Sequence, residues 1–194
     1  MDMQGSRHLA VPQQQAWEAL NDPQVLKVCI PGCDKVEATG DNQYAIGMAV
    51  KVGPVSARFA GKIQLIDVLP PNSYTLVFEG QGGAAGFGKG SAKVNLAPPA
   101  EGAGCELSYT AQAQVGGKIA QVGQRLVDGV ARSMAEDFFR RFDQEMQRVH
   151  PEAYAAQAAL PVEETAVAQA KRIPIWAWIL FGVGVLLALL LLVR

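Results

Sequence analysis

The segment of this chain with the most conspicuous chemical pattern is 83–89, where Gly83, Gly88 and Lys89 stand at the glycine and lysine positions of a phosphate-binding loop. Such a loop needs a Ser or Thr hydroxyl next, to hold magnesium, and here Gly90 follows. The residues after it alternate as a strand that ends at Pro98 and Pro99, so no helix N-terminus is available to receive a phosphate. Nucleotide chemistry is rejected. The glycines at 80, 82, 83, 86, 88 and 90 then read in two ways, as a plain disordered loop or as a hinged flap over a cavity mouth with Phe87 as its lid. Cys29 and Cys33 are spaced like a pair of metal ligands, but Cys105, His8 and His150 are scattered, so no metal site is expected and the thiols read as small buried groups. With two histidines, no nucleophile elbow and no strand carrying paired inward carboxylates, no catalytic residues are assigned. Asp67 has inward parity but falls at a strand end beside Pro70 and Pro71, where water is the expected partner.

The elements that could position a site emerge from composition and periodicity. The chain has 194 residues, 49% of them hydrophobic and 18% charged, with a net charge of -1. That balance offers no basic field for a phosphate backbone, so nucleic acid is not a partner. Much of the apolar excess lies in 173–193, a stretch without a charge that as a helix spans about 31 Å and matches one bilayer crossing. Trp176 and Trp178 suit the headgroup level, and Lys171 with Arg172 before them predicts that the N-terminal body stays cytoplasmic, at the inner face of the cytoplasmic membrane. In a reducing cytoplasm the three cysteines are expected to remain thiols. The expected organisation is a folded domain over 1–149, an Ala- and Pro-rich tether with some helical turns over 150–172, and a transmembrane helix over 173–193.

Within the body, a first strand, two short helices and a second strand occupy 3–38, and four longer runs then alternate with period two. Tyr44, Ile46, Met48, Val50 and Val52 share one face, and Gly53 with Pro54 turns the chain into a second run with Val55, Ala57, Phe59, Gly61, Ile63 and Leu65 inward. Tyr74, Leu76 and Phe78, then Ala92, Val94 and Leu96, then Leu107, Tyr109, Ala111, Ala113 and Val115 complete a sheet with one wet face. A helix is predicted over 118–149, with Val122, Leu126, Val130, Met134, Phe138, Phe142 and Met146 at four-residue spacing facing that sheet. This order resembles the helix-grip, or START-like, α+β fold, in which a curved antiparallel sheet wraps a long C-terminal helix around a cavity. The many glycines and alanines on the facing surfaces either leave that volume open or let the elements approach closely.

Three motifs in order carry a further resemblance. Cys29-Ile30-Pro31-Gly32-Cys33 followed by Val36-Glu37, the glycine-rich segment before Lys89-Gly90-Ser91-Ala92, and Val122-Gly123-Gln124-Arg125-Leu126-Val127-Asp128-Gly129-Val130 followed by Phe138-Phe139 are similar to the CoxG family of carbon monoxide dehydrogenase subunits over about residues 1–148. The resemblance implies a START-like (SRPBCC) accessory protein of molybdenum hydroxylases such as aerobic carbon monoxide dehydrogenase, coupling that soluble enzyme to membrane lipid without catalytic residues of its own.

These readings combine into an expected adaptor that is not an enzyme and whose cavity holds a lipophilic ligand such as a respiratory quinone. Tyr44, Met48, Phe59, Phe78, Tyr109, Met134 and Phe138 are the expected walls and Phe87 the lid. Two alternatives stand beside it. One is a plain membrane anchor with a filled core; the other is a small cyclase- or hydratase-type enzyme, which needs an inward acid or base.

Overall fold

Strand alternation governs the architecture of the computed structural model, which describes residues 1–159 apart from Glu101. The expected membrane span at 173–193 and the tether beyond residue 159 lie outside the described residues. Among the described residues no helix is long and apolar enough to cross a membrane.

Seven strands form one antiparallel sheet: β1 (Asp2–Leu9), β2 (Cys33–Gly40), β3 (Gln43–Val52), β4 (Val55–Leu69), β5 (Ser73–Gln81), β6 (Phe87–Ala97) and β7 (Cys105–Gly116). Their order across the sheet is β1-β7-β6-β5-β4-β3-β2. Consecutive strands from β2 to β7 are neighbours, whereas β1 and β2 occupy opposite edges. The residues between those two edges form α1 (Gln13–Leu20) and α2 (Pro23–Cys29). Local chemistry sets this helix pair. The Asn21 side chain donates to the Trp17 carbonyl at the end of α1, and the Asp22 carboxylate then accepts from the Gln24 N–H while Pro23 opens α2. The β3–β4 turn is the expected two-residue one, with Val52 paired to Val55 and Gly53 at φ +56°.

The C-terminal helical region departs from a single rod. A short α3 (Lys118–Gln121) is separated from α4 (Gln124–Val149) by Gly123 at φ +98°, a backbone value that side chains resist. The apolar stripe differs as well. A four-residue step overshoots the helical turn by about 40°, so a chain of such steps spirals around the helix. Leu126 is accordingly half-exposed, and its neighbour Val127 is buried instead, while Phe142 and Met146 are buried at the other end. Two buried clusters result. The larger joins Trp17, Tyr74, Leu107, Phe142 and Met146. The smaller joins Val52, Ile119 and Val127, with Phe59 packed against it.

The residues after α4 begin with a further helix, α5 (Pro151–Ala159), inside the same compact unit as the sheet. Ala153 and Tyr154 pack on the larger cluster, and the Tyr154 hydroxyl lies 2.6 Å from the Asp143 carboxylate and 3.0 Å from its carbonyl oxygen. The first part of the expected tether is thus folded onto the body.

The glycine-rich segment is neither a disordered loop nor a flap. It is a tight connection: β5 runs to Gln81, a single 3-10 turn covers Gly83–Ala85, and β6 starts at Phe87. Gly82 N–H donates to the Gly86 carbonyl at 2.7 Å, and Ala85 is buried.

Candidate functional site

A cavity of about 230 Å³ lies between the inner face of the sheet, the α1–α2 pair and the aromatic stretch of α4. Every strand from β2 to β7 contributes to it through inward positions, such as Val36, Ile46, Ile63, Leu76, Ala92 and Leu107. Leu20, Leu26 and Ile30 close it from the helix pair, and Phe138 and Phe139 close it from α4. Among the described residues no charged side chain lines it, and only Tyr44, Tyr74 and Tyr109 bring a side-chain polar group to its walls. The cavity is smaller than the roughly 300–1,000 Å³ typical of sites for drug-sized ligands, so it suits a ring-sized group or part of a longer lipophile.

The three tyrosines differ in environment. The Tyr44 hydroxyl donates to the Asn21 carbonyl at 3.3 Å, and burial raises its pKa, with Asp22 adding to the effect. Tyr74 is buried, its ring edge-on to Trp17 with centroids 5.5 Å apart. Burial, with Tyr44 nearby, pushes the Tyr74 hydroxyl well above its ordinary value, so it is a neutral donor throughout the physiological range. Among the described residues it has no hydrogen-bond partner. Tyr109 stacks on Phe139 at 5.6 Å, and Arg7 of the edge strand lies over the same phenylalanine ring.

Of the residues expected from sequence as walls, Tyr44, Tyr109 and Phe138 meet at this cavity; Met48, Phe59, Phe78, Met134 and Phe87 do not line it. Glycines explain three of these. The Phe59 ring lies on Gly82, the Phe78 ring on Gly90 and the Phe87 ring on Gly116, each filling the space that a Cβ would take. Phe87 is in phase with Lys89 and Ser91 along the strand, so it sits on the outer face of β6 and is no lid for an inner cavity. Met48 pairs with Cys33 and Phe59 across β3 instead. Sequence reasoning misses Tyr74 as a wall although its parity is inward, and it misses Phe139 because a stripe taken every fourth residue passes over it. The walls from α1, α2 and β2 have no periodic signal long enough to find. Asp67 is exposed at φ +51°, in a bulge that breaks the β4–β5 register after Ile66, so it does not enter the cavity.

A second hollow, about 920 Å³, crosses the outer face of the sheet. Gln114, Lys89, Glu79 and Lys62 stand there in one cross-strand row in which the charges alternate. Charged and amide side chains make up about half of its wall beside Met1, Ile63, Val77 and Phe78, whereas the inner cavity is almost wholly apolar and is the better candidate for a lipophilic ligand. Among the described residues no group of three or more His, Cys, Asp or Glu side chains is placed to hold a metal ion.

A family model for CoxG, a carbon monoxide dehydrogenase subunit, matches residues 5–147. The chain belongs to the CoxG family. A conserved protein of Geobacillus kaustophilus has a solved structure with 32% identity and a TM-score of 0.71, the alignment covering 76% of this chain and 96% of that one. The ZhuI aromatase/cyclase of Streptomyces sp. R1128 is 15% identical with a TM-score of 0.55, covering 78% and 97%. A Chromobacterium violaceum protein, CV1439, is 15% identical with a TM-score of 0.55, covering 74% and 95%. The last two likenesses concern the fold alone, a START-like α+β arrangement with a seven-stranded antiparallel sheet and a long helix. Among curated proteins none matches this chain.

Proposed function

We propose that this CoxG-family protein is an accessory protein that couples a soluble molybdenum hydroxylase, of the aerobic carbon monoxide dehydrogenase type, to the cytoplasmic membrane. Membership of the family over residues 5–147 carries the reading. The uncharged stretch at 173–193 supports a single-pass anchor. The apolar cavity supports a lipophilic ligand, and a respiratory quinone fits that role, since electrons leaving a soluble enzyme must reach an acceptor dissolved in lipid. The protein's residues supply binding and positioning. With walls of aliphatic and aromatic side chains plus tyrosine hydroxyls, the lining offers, among the described residues, no carboxylate, imidazole, amine or thiol to act as acid or base, which favours the accessory role over a cyclase- or hydratase-type enzyme.

The experiment pairs two variants in cells that express the partner hydroxylase. Truncation after Ala159, at the end of the compact unit, is expected to move the hydroxylase from the membrane fraction to the cytosol. Ala92→Leu, which fills the cavity, is expected to leave the hydroxylase at the membrane and lower its quinone reduction. A hydroxylase that stays at the membrane after truncation refutes the tether, and quinone reduction unaffected by Ala92→Leu leaves a plain anchor.

A further inference from the structure

The charge-free lining and the position of one hydroxyl restrict what the cavity takes. Tyr74 is 5% exposed, lines the cavity and is held by its edge-on contact with Trp17. Its hydroxyl has no hydrogen-bond partner among the described residues, in contrast to Tyr44, whose hydroxyl is already donated to Asn21. The Tyr74 oxygen is not one of the sealed-off polar atoms, so it opens onto the space that Tyr74 lines, where a ligand oxygen can accept its proton. A carboxylate or phosphate headgroup, by contrast, meets no cation among the lining residues, and burying it unpaired is far more costly than burying a carbonyl. Arg7 lies over Phe139, 5.6 Å from the ring centroid, but is not a lining residue.

We infer that the cavity selects neutral lipophiles that bring a single acceptor oxygen, such as a carbonyl, to the Tyr74 hydroxyl, and that it rejects anionic amphiphiles. The ligand's oxygen-bearing end then lies against the end of α1, beside Trp17 and Tyr44, and its hydrocarbon lies along the aliphatic walls toward Phe138 and Phe139. This inference rests on the proposal that the cavity holds a lipophile.

The test uses the full-length protein in detergent, with Trp176→Phe and Trp178→Phe so that Trp17 is the only indole. Three probes are compared: decylubiquinone, which is neutral with carbonyl oxygens; dodecylbenzene, which has a ring and chain but no oxygen; and palmitate, which is anionic. Quenching of Trp17 reads decylubiquinone binding, and displacement of the quinone reads the other two. Tyr74→Phe is expected to weaken decylubiquinone roughly three- to tenfold, the worth of one hydrogen bond, and to leave dodecylbenzene unchanged. The same variant, lacking the unpartnered hydroxyl, is expected to unfold at the same temperature as the parent or higher, an outcome that a structural role for the hydroxyl would reverse. Decylubiquinone binding unaffected by Tyr74→Phe, a lower unfolding temperature in that variant, or palmitate binding as tightly as the quinone overturns the inference. Failure of all three probes to bind the parent protein overturns the cavity-ligand proposal itself.

Discussion

Replacing Ala92 by leucine puts the emptiness of the cavity to a quantitative test. Ala92 stands on β6 between Leu76 of β5 and Ala111 of β7, and it lines the cavity of about 230 Å³. Leucine adds three carbons directed into that space. At about 0.8 kcal/mol for each buried methylene, filling it stabilises the fold by about 2.4 kcal/mol. Imperfect fit against the rotamers already in place offsets about 1 kcal/mol of this. A net gain of about 1.5 kcal/mol raises the unfolding temperature by about 3–6 °C for a domain of this size. Calorimetry of the full chain in detergent measures the shift, and Trp17 quenching by decylubiquinone measures the expected loss of affinity in the same sample. A fall of more than about 2 °C means that the volume is already occupied by neighbouring side chains, as small residues in close approach would require, and refutes the packing argument. A rise with unchanged quinone affinity moves the ligand out of this cavity.

Three further outcomes follow from the sheet and the thiols. A Cβ at Gly90 would meet the Gln112 carbonyl oxygen and lie 2.8 Å from the Phe78 ring, whereas at Gly88 the nearest atom is a Val115 methyl at 3.9 Å. Gly90→Ala is therefore expected to destabilise by about 1–3 kcal/mol in denaturant titrations, and Gly88→Ala much less; equal effects would refute the assigned packing. Cys29 and Cys105 are fully buried, and burial pushes both thiols up to about 11 from 9.0. The folded state then binds more protons than the unfolded one between those values. Their contribution is fully present below about pH 9 and is lost as pH rises toward 11, so the denaturant midpoint should fall over that window, and less steeply in Cys29→Ala and Cys105→Ala. A thiol reagent on the native protein should label Cys33 first; immediate labelling of all three is the contrary result.

The alternation of β3 to β7 is legible because one face of each strand is dry, and a period of two leaves no freedom about which residues share that face. Tyr44, Tyr109 and Phe138 reach the inner side by periodicity alone. The rule stops where the backbone departs from it, at the bulge that turns Asp67 to solvent and at Gly123, which divides α3 from α4. It also says nothing of what lies beside an inward aromatic ring. Phe59 and Phe78 share the inner face with the cavity walls, yet glycines on neighbouring segments draw their rings down onto the backbone. The helix pair before β2 is too short for periodicity to reveal which side of Leu20, Leu26 and Ile30 faces inward. Finally, α5 follows from contacts that Tyr154 makes with Asp143, eleven residues away, which composition alone does not disclose.

At three glycines the space a Cβ would take is filled by an aromatic ring: Gly5 by Tyr109, Gly82 by Phe59 and Gly116 by Phe87, whereas Gly90 is closed by the Gln112 backbone as well as by Phe78. In each pair one member's bulk occupies the room its partner leaves vacant, so neither can change size alone. Across descendants of this sequence the two positions of a pair should drift together, a methyl gained at one matched by a ring lost at the other. The sheet's evolvable units thus include three large–small couples rather than six independent sites.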